Sequence, residues 1–128
     1  MRIIVSTEKG GLNDRVNQAF GRAPTFTLVD VENDQIASVQ VVVNPGYSQS
    51  RGAGVTAAQF CIDRGVEVVI SGHFGPNSAA VLQAAGIKLI SAPPTLTVEE
   101  AVRAFLSGEL TTAVFRSGGG HGKGRGGW

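Results

Sequence analysis

Over its first 110 residues the chain alternates short apolar runs with stretches of small and polar residues, and the spacing inside each run separates strands from helices. Residues 2–6 (RIIVS) are apolar and β-branched without alternation, the pattern of a strand buried on both faces. Residues 25–31 (TFTLVDV) alternate. After Asn33 and Asp34 comes the run 35–43 (QIASVQVVV), and the pair predicts a β-hairpin. Asn44, Pro45 and Gly46 break that strand, and the loop YSQSRGAG leads into a helix over about residues 55–64, stopped by Gly65. A fourth strand follows at 66–70, a helix at 76–85 closed by Gly86, and a fifth strand at 87–91. In residues 97–107 (TVEEAVRAFLS), Thr97 and Glu100 form a capping box, Val98, Val102, Phe105 and Leu106 an apolar stripe, and Gly108 lies past the end.

A hairpin followed by strand, helix, strand, helix predicts an α/β three-layer sandwich. The right-handed crossover rule makes the helix-linked strands parallel. With strand one central, the five-stranded mixed sheet has order 3-2-1-4-5, strand 2 is antiparallel, and helices cover both faces. The winding reverses between strands one and four, and open α/β sheets bind ligands outside the carboxyl ends of strands at such a point. The predicted domain spans residues 1–116. Residues 117–128 (SGGGHGKGRGGW) have the composition of a flexible, basic, glycine-rich tail, and no internal repeat is visible.

The stretch SGHFGPNSA, residues 71–79, falls at that reversal. Gly72 and Gly75 leave the backbone bare, Pro76 stands where a first helical residue belongs, and the next amides point outward. Such a junction seats an anion. The GAG of Gly52, Ala53 and Gly54 is a second bare helix entry with the same potential.

Composition narrows the chemistry. A single cysteine, Cys61, excludes an intramolecular disulfide and a paired-thiolate metal site, and its neighbours Ala57, Ala58 and Ile62 make it a buried small hydrophobe. Besides it there are only two histidines, His73 and His121. The formal net charge of +1 gives no general footprint for a nucleic acid. No run reaches the ~20 apolar residues of a membrane span, and residues 1–7 are too short for a signal peptide, so a cytoplasmic protein is expected.

The chain resembles the dinitrogenase iron–molybdenum cofactor biosynthesis family. The resemblance is carried in order by Phe20-Gly21-Arg22-Ala23-Pro24 with Phe26, Asn44-Pro45, Gly52-Ala53-Gly54, Gly72 to Asn77 with Gly75-Pro76-Asn77, Ala85-Gly86-Ile87 and Thr97-Val98-Glu99-Glu100, over roughly residues 1–110. It implies a ribonuclease H-like fold like that of the NifX proteins, the C-terminal domain of NifB and the orange protein. It also implies a non-enzymatic carrier of an anionic metal–sulfur cluster. The ligand-poor sequence fits best the orange-protein type, which holds a molybdenum–copper sulfide cluster without covalent attachment; an iron–sulfur or iron–molybdenum–sulfur cluster, as in nitrogenase cofactor assembly, is the alternative. Further implied partners are other cofactor-assembly proteins or ATPases of the cell-division type, with no nucleic acid and no membrane, for a monomeric protein. Many members have a histidine just before the FGRA segment; this chain has Ala19 there, so that loop offers no imidazole.

On this reading the amides of Gly52 to Gly54, and in the stretch Gly75 to Asn77 those of the two residues flanking Pro76, donate to the cluster, Gly21 and Gly72 allow close approach, and Asn44 belongs to the same surface. Arg22 offers a fork of donors, Arg51 a second cation, and Phe20 and Phe74 wall the apolar faces. His73 is at most a copper ligand. Plainer roles compete: a surface ion pair for Arg22, close helix packing for Gly52 and Gly54, a carbonyl cap for His73. A metal-dependent nuclease needs converging carboxylates, yet RIIVS has none and the nearest acids are Glu8, Asp14 and Asp30. A phosphate or nucleotide sensor would use the same amides, although neither GxxxxGK[ST] nor GxGxxG is present.

Overall fold

The computed structural model describes residues 1–110 and 112. The strands are β1 (Arg2–Thr7), β2 (Thr25–Glu32), β3 (Gln35–Val43), β4 (Val68–Ser71) and β5 (Lys88–Ser91), and the helices α1 (Ala53–Asp63), α2 (Pro76–Ala84) and α3 (Val98–Leu106). They form one sheet of order β3-β2-β1-β4-β5, with β1 antiparallel to β2 and parallel to β4. This is the expected α/β arrangement. The reading of residues 117–128 as a tail lies outside the described residues.

Strand pleating divides the core in two. Ile4, Leu28, Val69 and Leu89 face α1 and α2, where Ala57, Ala58, Cys61, Ala79 and Leu82 meet them. Ile3, Val5, Val29, Val68, Ile70 and Ile90 point the other way, to Val98, Ala101 and Val102 of α3. The β2–β3 turn places Asn33 at φ 53° and Asp34 at φ 61°, the left-handed pair that a two-residue hairpin turn demands.

Two boundaries differ from expectation by two residues, and several others by one. Helix α1 begins at Ala53 rather than Val55, because Gly52, at φ 67°, is already its N-cap. Strand β4 begins at Val68 rather than Val66. The amide of Val66 still closes the end of α1 on the Cys61 carbonyl, so residues 66 and 67 are spent on the connection.

Register explains why loops gather at one end. Thr7 of β1 lies beside Thr25 at the start of β2, which lies beside Val43 at the end of β3. Because β4 and β5 run parallel to β1, their ends Ser71 and Ser91 reach the same edge. The segment before β2, the loop from β3 to α1 and the loop from β4 to α2 therefore share the carboxyl edge of the sheet.

Helix α3 carries a full capping box: Thr97 Oγ1 accepts from the Glu100 amide at 3.1 Å and the Thr97 amide donates to Glu100 Oε1 at 2.9 Å. Replacing Thr97 by Ala is expected to cost about 1 kcal/mol, a fall in Tm of roughly 4 °C for a domain of this size. Calorimetry reads it directly, and an unchanged Tm would mean that packing alone holds α3.

Candidate functional site

Helices α1 and α2 start side by side at the carboxyl edge, and a cleft of about 240 Å³ opens between them, lined by Gly52, Ala53, Gly54, Val55, Gly75, Pro76, Asn77 and Ser78. Neither N-cap, Gly52 or Gly75, supplies a side-chain hydrogen bond, and neither first turn carries an acid. The first-turn amides of both helices thus have no intrahelical acceptor, and two positive helix ends face one space. Both groups of donors expected from the sequence are brought together here.

The glycines do different work. Gly54 is a packing position: a Cβ on it would come within 3.2 Å of Ser78 Cβ, and one on Gly21 within 2.8 Å of Gly54 Cα. A Cβ on Gly72 would lie 2.7 Å from the Gln18 Cα, so its bareness serves the loop after β1. Gly75 is unlike these. At φ −70° and ψ 159° it has an ordinary N-cap conformation, and a Cβ would find nothing nearer than Ser78 Oγ at 3.8 Å. Serine or aspartate fits this position sterically, yet no capping group is present.

Several expected ligand contacts are used up inside the protein. Asn44 is 1% exposed. Its Nδ2 donates to the carbonyls of Phe20 (3.2 Å), Gly21 (3.1 Å) and Ala23 (2.8 Å), while Oδ1 accepts from the Gly46 amide at 2.8 Å. No polar atom of this side chain is left for a ligand. Phe20 and Phe74, expected to wall the site, are 2% and 1% exposed and lie in the core, where Phe20 sits 5.3 Å from the Phe26 ring and 5.6 Å from Phe74. Burying these rings outweighs any contact with a polar ligand. Arg22 donates to the carbonyls of Tyr47, Gln49 and Ser50, holding the loop that leads to α1. Neither the expected fork toward a ligand nor the ion pair describes its position. Arg51 and His73 are exposed, Arg51 next to the cleft residue Gly52 and His73 two residues before Gly75.

The structural roles of Gly46 and Asn17 were missed. A Cβ on Gly46 would fall 2.3 Å from the Ala53 carbonyl, so this glycine lets the turn after β3 touch the start of α1. Asn17 pins the preceding loop to the sheet: its amide donates to the Ser6 carbonyl (2.8 Å), and its carbonyl accepts from Ser6 Oγ (3.0 Å) and the Gly72 amide (3.0 Å). An N-P-G turn signal was visible, but a close approach between distant segments leaves no local mark.

The acids do not converge. Asp30 pairs with Arg2 at 2.9 Å, at the opposite end of β1, and Asp14 Oδ2 accepts from the amides of Glu8, Lys9 and Gly10. Among the described residues no three His, Cys, Asp or Glu side chains are grouped to hold a metal ion. Cys61 is fully buried, and burial pushes its thiol up to about 12, so it stays protonated and inert. A larger groove, of about 580 Å³, lies beside α3 among Pro93, Leu96, Ala104 and Leu110. Glu100, Arg103, Ser107 and Glu109 complete its lining, which mixes apolar side chains with charges of both signs and has no converging amides, so the chemistry favours the smaller cleft.

The matching family model, dinitrogenase iron-molybdenum cofactor, covers residues 1–108. The chain belongs to this family. Among solved structures, the apo form of the orange protein from Desulfovibrio gigas is 39% identical with a TM-score of 0.81, covering 88% of this chain and 92% of that one. A Thermotoga protein solved by NMR as a NifB candidate is 31% identical with a TM-score of 0.74, covering 91% and 98%. An uncharacterized protein of Methanocaldococcus jannaschii is 31% identical over 98 residues, 77% of this chain and 82% of its own length.

Two predictions follow from the geometry. Asn44→Ala orphans three carbonyls and an amide in the interior and is expected to cost about 3 kcal/mol or more, whereas Gly75→Ser should be neutral or slightly stabilising; urea titrations compare them, and a mild Asn44→Ala would remove the clasp from the account. The second concerns acid. The Asp14 carboxyl is pushed up by burial but brought below its ordinary 3.8 by the amides of Gly10, Arg15, Lys9 and Glu8. The Asp30 carboxyl is lowered chiefly by its hydrogen bond from Arg2. Unfolding restores both to ordinary values, so the stabilisation is full above that range and is lost as pH falls through the folded values. Stability should be level from neutral pH to about 5 and decline below about 4, less steeply in Asp14→Asn; an identical decline would show that Asp14 does not contribute.

Proposed function

We propose that the protein binds and carries an anionic metal–sulfur cluster, non-covalently and without catalysing a reaction, and that the cluster is a molybdenum–copper sulfide. The observation that carries this reading is the pair of uncapped, acid-free helix N-termini facing one cleft. A sulfide-bridged cluster brings its own soft ligands and negative charge, so its host needs donors and positive potential rather than thiolates. The donor set fits that demand, and the lack of a His/Cys/Asp/Glu group among the described residues agrees with cargo held through its outer sulfides.

Two helix ends contribute about 0.3 to 2 kcal/mol each, whereas a micromolar Kd takes about 8. Direct amide bonds, Arg51 at the rim and partial desolvation supply the difference. Arg22 acts at one remove, by holding the loop on which Arg51 stands. The family itself favours a second reading, an iron–molybdenum cofactor or its precursor as the cargo.

The deciding experiment is a titration of metal-free protein with tetrathiomolybdate, with and without copper, followed by visible absorption and metal analysis after gel filtration. The wild type is expected to retain colour at a fixed molybdenum to copper ratio. Gly75→Asp places a carboxylate over the α2 amides with room to spare; it should keep or raise Tm and weaken retention at least about tenfold, the loss of about 1.4 kcal/mol. Colour that washes off the wild type would exclude the molybdenum–copper cargo and turn the test to iron–molybdenum precursors and nucleotides. Full retention by Gly75→Asp would move the site away from this cleft.

A further inference from the structure

We propose that two copies of this chain pair through the outer edge of β3, antiparallel about a two-fold axis at Val41, to form one continuous sheet. β3 is an edge strand in the order β3-β2-β1-β4-β5, and no described residue pairs with its outer side. The Asn44 amide donates inward to the Pro24 carbonyl. Backbone groups alternate along an antiparallel strand, so those of Val42 and Gln40 also point to β2, and those of Val43, Val41 and Val39 point outward.

The residues with free backbone groups are also the exposed apolar ones: Val39 is 38%, Val41 45% and Val43 74% exposed. All three lie on the α3 side of the sheet, beside Val29, Thr27 and Thr25, yet none belongs to the cluster that packs under α3; the backbone at Gly10 lies against the Val41 side chain but leaves it 45% exposed. Edge strands normally resist self-pairing through a charge, a proline, a bulge or a covering element. Residues 35–43 contain no charged residue, proline or glycine, and the register is regular from Thr25↔Val43 to Asp30↔Ser38, with its one irregularity beyond that.

The occupant follows from self-complementarity. A two-fold axis at Val41 sets Val41 against its own copy and Val39 against Val43 of the other, so all three positions exchange backbone bonds and the valines form one apolar layer. No charge opposes another across this register. A partner edge of opposite charge has nothing here to recognise, whereas a second uncharged β3 fits. An interface built on one strand pair falls at the small end of specific interfaces, below about 1,200 Å² in total, and a micromolar Kd is expected.

Sedimentation velocity of the full chain from about 5 to 500 µM tests this, together with two variants. The wild type should shift from monomer to dimer over this range. Val41→Lys, which confronts its own copy across the axis, should raise the dimer Kd at least about tenfold, with Tm as the check on folding. Val41→Cys should form a disulfide between copies under mild oxidation, since directly opposed, hydrogen-bonded residues stand about 5.5 Å apart; Gln59→Cys, exposed on α1 and away from β3, serves as the negative control. A monomer at all concentrations would overturn the proposal, as would a dimer that Val41→Lys leaves intact, which would place the interface elsewhere. A monomer that dimerises only after removal of residues 113–128 would identify the chain's own C-terminal segment as the occupant.

Discussion

The side-chain amide of Asn44 has almost no access to water, and so its hydrogen-bonding capacity must be met by the protein around it. It is met by carbonyls of residues 20, 21 and 23 on one side and by the Gly46 amide on the other. That requirement fixes the spacing of two loops far apart in sequence. With the loops fixed, Gly46 comes against Ala53 and Gly21 against Gly54, contacts that would not survive a Cβ at either glycine. The start of α1 is thereby set, and through Gly54 and Ser78 so is its distance from α2. An amide that touches no ligand determines where the donors of the cleft point.

Conservative forces, not special chemistry, build the rest of the edge. Phe20 anchors the loop by inserting its ring among Phe26 and Phe74, and Asn17 ties the same loop to the ends of β1 and β4. Arg22 gathers the carbonyls of residues 47, 49 and 50. The immediate surroundings of the cleft are therefore held by contacts made elsewhere, and the cleft itself is left with bare amides. Preorganised donors lose little freedom when a ligand arrives, which matters for the proposed cargo, a cluster that would offer only sulfide edges. The missing cap at Gly75, where a capping side chain has room, is the clearest mark of stability given up at this place.

Much of this was legible from residue order. The unbroken apolar run RIIVS marked the buried central strand and Asn33-Asp34 the hairpin turn, because local backbone preferences act within a few residues, whereas the alternation in TFTLVDV gave a strand but not its burial on both faces from Phe26 to Val29. The two glycine-rich helix entries were also readable, since a bare N-cap followed by Pro76 is a local feature. Roles that depend on distant neighbours were not. Asn44, Phe20 and Phe74 stood in the right segments, but whether a side chain faces a ligand or the core is settled by what packs against it, as it is for the glycine at 72, whose reason is Gln18.

The sequence by itself determined the element types, the strand order and the presence of two uncapped helix starts, because each follows from short-range pattern and from the handedness of crossovers. Tertiary structure alone decided that those two starts share one cleft, that the conspicuous polar and aromatic residues near it are spent on holding it open, and that the valines of β3 have no helix over them. Those outcomes rest on contacts between segments tens of residues apart, where the excluded volume of one Cβ and the partner of one buried amide are set by the whole fold.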